Sequence, residues 1–252
     1  MIEPYPFQEF GSIDELSALI HEATKGWDTR WYRGTKTPAY PLLPKLFRDP
    51  SVKDREGYIS VEFRRRARPH LPGIHTPFEW LCALQHYGFP TRLLDWSESL
   101  AVALYFTVRP VGADLEAPTV WVLDPFELHD FAGSEHSHPT IPISTDSEVL
   151  SNADIAFADD FETRSKTTSL HPLPVVPDFL FNRIATQNGA FTIHGRDERA
   201  LEEIVPKSRR NMLLKFVARP NKIEAIWNCL DLIIPSSDAV FPDIEGIKDY
   251  II

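Results

Sequence analysis

From Leu100 to Phe106 the chain reads LAVALYF, without a single charge. That run is far too short to cross a membrane, and a helix that is apolar all round has to be enclosed by other elements. The spacing predicts a helix over 98–108, ending before Pro110. Apolar faces from several directions must cover it. The residues just before it are opposite in character. QHYGFPTRLLDW (85–96) places His86, Gly88, Pro90, Thr91, Arg92 and Asp95 on the doorstep of this buried helix.

The rest of the chain mixes helical and extended patterns. A helix is predicted over 12–25, where Ser12 and Glu15 have capping-box spacing and Leu16, Leu19 and Ile20 form the stripe. Another runs over 52–68 up to Pro69. A third, over 77–87, has Thr76 as N-cap, Pro77 in the first turn, Glu79 completing a capping box and Gly88 at C′. TRWYRGTK, PTVWVLDP (118–125), GAFTIHG (189–195) and NMLLKFVA (211–218) read as strands. Pro220 opens a helix to about Leu230, and the last part of 236–251 is helical in pattern. With 22 prolines against 11 glycines, many connections are irregular and fixed in φ. Helices and strands in both halves make an α+β fold, read as a single domain over 1–252 with a mixed or antiparallel sheet. Residues 1–30 form an N-terminal helical extension. Residues 128–172 are polar, too long for an ordinary loop, and read as an insertion or lid.

A net charge of −10 gives no long-range attraction to nucleic acid, although a local basic patch remains compatible with it. Arg64, Arg65, Arg66 and Arg68 are read as a solvated helix face; the sharper alternative is a phosphate-contacting patch. Cys82 and Cys229 lie in apolar helical patterns and read as buried thiols of a reducing compartment. The N-terminus lacks the pattern of a signal peptide, so a cytoplasmic protein without membrane association is expected. His136-x-His138 has no Cys or acidic ligand to complete a metal site and reads as solvent loop. Neither GxxxxGK nor GxGxxG is present, and neither is GxSxG or HExxH.

Three stretches carry candidate site residues. In WYRGT (31–35), Arg33 at a strand end offers a planar fork suited to phosphate or ribose, and Gly34 allows close approach of a ligand to the backbone; a structural salt bridge is the alternative. In 85–96, Gly88 and Pro90 set a tight turn that aims Thr91 and Arg92, His86 stands at a helix C-terminus, and Asp95 either caps the next helix or pairs with an arginine. In NRIATQNGAFTI (182–193), Arg183 and Gln187 precede a strand, where Gln187 either bonds a ligand or caps the sheet edge.

Together these stretches resemble the FRG domain family. Trp31-Tyr32-Arg33-Gly34 resembles its Phe-Arg-Gly signature, with Tyr in place of Phe. Residues 84–106 resemble a second signature almost throughout, 183–192 a third, and 230–247 the closing segment. The layout is similar to that of ADP-ribosyltransferases, which implies a sheet split around helices. Arg33-Gly34 stands for the first motif, Asp95-Trp96-Ser97 for the second and Gln187 for the third. A glutamate is usual at that last position, and Gln187 cannot ionise. The role then falls to another residue such as Glu202 or Glu203, or the chemistry is altered or absent.

The resemblance implies a toxin or phage-defence effector of bacteria, phages or mobile elements. It would use NAD as substrate, break the nicotinamide–ribose bond and transfer ADP-ribose to a macromolecular acceptor, protein or nucleic acid, with an antitoxin or defence-system partner. Arg33, His86, Asp95 and Gln187 are the residues expected to carry the chemistry. Arg33, Gly34, Thr35, Thr91, Arg92, Ser97 and Arg183 are those expected to hold NAD, with no metal. The alternative is a non-catalytic module that binds a nucleotide or nucleic acid.

Overall fold

The computed structural model describes residues 5–37, 40–109, 117–133, 143, 147–157, 169–234 and 240–242. In chain order these form β1 (Gln8–Phe10), α1 (Ile13–Ala23), β2 (Trp31–Thr35), α2 (Pro50–Lys53), α3 (Glu56–Ala67), α4 (Pro77–His86), β3 (Leu93–Ser97) and α5 (Leu100–Val108). There follow β4 (Thr119–Leu123), α6 (Pro125–Phe131), α7 (Ser147–Asp154), β5 (Leu173–Val175), α8 (Asn182–Thr186), β6 (Gly189–Ile193), α9 (Leu201–Ile204), β7 (Leu213–Ala218) and α10 (Ile223–Ile233). Short 3₁₀ turns join several of them. The class is α+β, as the mixed patterning predicts.

The seven strands form one mixed sheet in the order β1-β7-β4-β2-β3-β6-β5. β1 runs parallel to β7, and every other pair is antiparallel. β2 pairs with β4 along its length, from Trp31↔Leu123 to Thr35↔Thr119. β3 does the same with β6, from Leu93↔Ile193 to Ser97↔Gly189. Between β2 and β3 the register holds one pair, Tyr32↔Ser97. The sheet is therefore split down its middle.

Helices cover the halves separately. α5 packs Val102, Leu104, Tyr105 and Val108 into a core with Phe10, Leu16, Val120 and Phe216. α4 packs Phe78, Leu81 and Leu84 with Val149 of α7, Phe191 and Ile193. The opposite face is closed across both halves by Trp31, Leu94, Trp96, Trp121, Leu201 and Met212.

Several local expectations are met. Thr76 and Glu79 form the reciprocal capping box of α4. Gly88 has φ 78°, the left-handed conformation that a C′ residue needs. Ser12 caps α1, but the Glu15 carboxylate accepts from Gly11 N–H rather than closing the box on Ser12.

Other expectations differ from the fold. LLDWS is strand β3, and Ser99 rather than Asp95 caps α5. Flanked by neighbours on both faces, β3 buries Leu93, Leu94 and Trp96 on both, which hides its alternation. The helix over 52–68 is broken into α2 and α3, with Asp49 capping the first. The first 30 residues hold α1 but also the edge strand β1. Within 128–172, α7 and the turn after it bury Val149, Ala153 and Ala156 in the core against α4. Cys82 is a buried thiol, whereas Cys229 is exposed. His136, His138 and most of 236–251 lie outside the described residues. Among those described, no helix is long and apolar enough to cross a membrane.

Candidate ligand cleft at the split of the sheet

The split opens a cleft of about 520 Å³, within the range of small-molecule sites. Its floor is β2 and β3, its walls are α4, α5 and α8, and Arg48 and Tyr40 reach over it from the proline-rich segment. Tyr32 and Ser97 face each other, so the side chains of Asp95 and Ser97 project on the helical face of the sheet.

Arg33 bridges the split. Its Nη1 donates to the backbone carbonyl of Asp95, an acceptor left open where β3 lacks pairing with β2. The Asp95 carboxylate lies 3.7 Å from the same atom. Arg33 Nε is buried with no hydrogen-bond partner among the described residues. Burial holds the Arg33 guanidinium below its ordinary pKa, partly offset by Asp95. A buried N–H donor without an acceptor is costly, so the atom points to an acceptor that a ligand brings. The Thr35 hydroxyl, also in the lining, is buried and unpartnered as well.

Asp95 is oriented from the other side. Gln85 Nε2 donates to both carboxylate oxygens at 3.1 Å, and Thr91 Oγ1 donates to Gln85 Oε1. This chain from Thr91 through Gln85 to Asp95 and Arg33 is what the rigid turn after α4 builds. Its sequence trace was Gly88-x-Pro90-Thr91, but Gln85 was not singled out there. Ser97 Oγ donates to the Gln187 carbonyl at 2.6 Å and accepts from Ser99 N–H at 2.9 Å. Gln187 lines the cleft, with its Nε2 donating to the Val240 carbonyl at 3.0 Å. His86 stacks on Phe181 with ring centroids 4.2 Å apart, and Arg183 sits 4.6 Å from the Phe241 ring centroid.

Among the described residues, Arg33, Lys36, Arg48 and Arg183 line the cleft against one carboxylate, Asp95. In a chain of net charge −10 this is a local reversal of sign, suited to an anionic ligand. Of these, Lys36 and Arg48 were missed from sequence, because nothing in their neighbourhood marks them.

Of the ten residues proposed from sequence, eight line this cleft: Arg33, Gly34, Thr35, His86, Asp95, Ser97, Arg183 and Gln187. The other two stand behind it. Thr91 is buried and braces Gln85. Arg92 is buried in a bidentate pair with Glu56, at 2.6 and 2.8 Å, and its Nη1 donates to the His194 carbonyl. With its fork so engaged, Arg92 supports the turn instead of reaching a ligand. Gly34 serves packing: a Cβ there would fall 2.0 Å from the Ala103 carbonyl oxygen and 2.2 Å from Thr107 Oγ1 of α5. Glu202 does not supply a carboxylate here, since its oxygens accept from Leu42 N–H at 3.0 and 3.2 Å outside the lining. Glu203 is outside it too.

Residues 28–114 match the family model of the FRG domain. Over that segment the chain is similar to an FRG domain. The matched segment holds β2, α4, β3 and α5, so it supplies the floor and two walls of the cleft, while β6 and α8 lie beyond it. No curated protein and no solved structure matches the chain.

Proposed function

We propose that this protein binds NAD in the cleft, cleaves its nicotinamide–ribose bond and transfers ADP-ribose to a macromolecule. The observation that carries the reading is Arg33: a half-buried guanidinium, its buried Nε unbonded, in a cationic cleft opened by a split sheet. An arginine fork suits a pyrophosphate, with Arg48 and Arg183 adding charge at the rim.

Nicotinamide leaves with the bonding electron pair, which neutralises its ring nitrogen. The ribose carbon becomes oxocarbenium-like, and the acceptor attacks that carbon and gives up a proton. Asp95 is the one carboxylate of the lining among the described residues, and Gln85 holds both its oxygens in place. A fixed negative charge of this kind stabilises a developing cation. Gln187 is neutral and suited to orienting the nicotinamide ribose through its amide oxygen. His86, stacked on Phe181 and lining the cleft, would take the acceptor's proton. A toxin or antiviral effector in a bacterial setting fits such an activity.

The test is nicotinamide release from labelled NAD with cell extract as acceptor source. Wild type should release nicotinamide and label a target, and Arg33→Ala should abolish both. NAD recovered intact, with no heat of binding by calorimetry, would exclude the reading.

A further inference from the structure

We infer that the face adjoining the cleft is a docking surface for single-stranded nucleic acid. Five rings form a continuous ladder there. Phe89 lies 5.1 Å from Phe63, Phe63 lies 6.0 Å from Tyr87, and Tyr87 lies 5.0 Å from His86. His86 then stacks on Phe181 with the planes within 9°. Two of the rungs are bare: Tyr87 is 54% exposed and Phe89 40%. The inner rung, His86, lines the cleft. Large aromatic rings left this open beside a ligand site call for a partner.

The charge beside the ladder says which partner. Residues 45–92 carry nine Lys and Arg against five Asp and Glu, a local balance of +4 in a chain of −10. α3 presents this charge outward. Glu62 binds both Arg65 and Arg66, yet Glu62 is 26% exposed while the arginines are 63% and 73% exposed. Lys45 is fixed beside the ladder by donating to the Gly88 carbonyl at 2.8 Å. Rings that stack unpaired bases, flanked by cations that track a phosphate backbone, are the two components of single-strand recognition. A duplex hides its base faces and leaves the ladder unused. A strand running along the ladder reaches the cleft at His86. The surface would thus name the acceptor class for the proposed transfer, although binding is read without NAD.

The experiment is fluorescence anisotropy with labelled thymidine and uridine oligomers of about 16 nucleotides, and a duplex of equal length, in about 50 to 200 mM salt. Single strands should bind more tightly than duplex, with a log–log salt slope of about −1.4 or steeper, that is, two or more phosphate contacts. Tyr87→Ala and Phe89→Ala should each weaken binding at least about fivefold at an unchanged urea midpoint. Arg65→Gln with Arg66→Gln should flatten the slope and keep the single-strand preference. Equal or tighter duplex binding, no saturable binding at low salt, or indifference to both ring variants would overturn the inference. So would self-association that the ring variants abolish, since the ladder would then be a contact between copies. Nicotinamide release without added nucleic acid should be unchanged in Phe89→Ala, whereas Arg33→Ala abolishes it, so the two readings fail separately.

Discussion

Gly34→Ala tests what the glycine of the Arg-Gly pair is for. The added methyl carbon would stand 2.0 Å from the Ala103 carbonyl oxygen, where an ordinary carbon–oxygen contact needs about 3.3 Å. Strand and helix would have to separate by more than an ångström, and neither side yields easily. β2 is pinned to β4 by five register pairs, and α5 buries Val102, Leu104, Tyr105 and Val108 in the core. Ala103 O also accepts from Thr107 Oγ1 at 2.7 Å, the second atom the methyl would strike. Overpacking costs about 1–3 kcal/mol where side chains can adjust, and a backbone obstacle puts this case at about 3 kcal/mol or above. For an ordinary denaturant dependence, the urea midpoint should fall by about 1–2 M. The assay is equilibrium unfolding followed by far-UV circular dichroism, with NAD binding measured on the folded fraction. A variant that keeps its midpoint within about 0.5 kcal/mol of wild type but loses NAD binding refutes the packing argument. Gly34 would then be there to admit the ligand.

Three further outcomes are expected. Arg92→Leu leaves Glu56 charged and buried and should cost about 3–5 kcal/mol by urea unfolding, whereas adding Glu56→Leu should restore most of it. Burial, reinforced by the Arg92 charge, lowers the His194 pKa to about 3, so the unfolded chain takes up the proton first as pH falls. The stability is present above about pH 6.5 and drains below it, by about 2 kcal/mol between pH 7 and 5; His194→Leu should lose that much less over the same interval. Asp95→Asn should leave stability within about 0.5 kcal/mol of wild type while nicotinamide release drops about 10²- to 10³-fold; release at the wild-type rate removes Asp95 from the chemistry.

How far the sequence reached can be traced residue by residue. α4 was legible in full, because its capping box, first-turn proline and C′ glycine are local signals with local causes. The motif residues were legible because they cluster near turns and strand ends, and eight of them meet in one cleft. What was hidden depends on neighbours distant in sequence. β3 does not read as a strand because burial on both faces removes its alternation. β1 has three residues and is a strand because β7 runs beside it. Arg92 and Arg33 are the same residue type near equally suggestive turns. One finds Glu56 on α3, 36 positions away in the chain, and the other finds an unpaired strand edge. No pattern in either neighbourhood separates the brace from the binder.

The split itself follows from how each half is fastened. β2 is committed to β4 on one side and to α5 through Gly34, and β3 is committed to β6 and lies under α4. At the Tyr32↔Ser97 end the two halves are locked: that register pair joins β2 to β3, and Trp31 Nε1 donates to Glu98 Oε1 at 3.4 Å. Beyond that lock the β2–β3 pairing stops, which leaves the Asp95 carbonyl of β3 without a strand partner. Such a gap is tolerable only if polar groups fill it. Arg33 satisfies one acceptor from across the gap with Nη1 and still has Nε unspent. The same residue therefore closes the flaw in the sheet and presents a donor to whatever enters. That double duty gives a structural reason for arginine at this position, since lysine lacks the second arm of the fork.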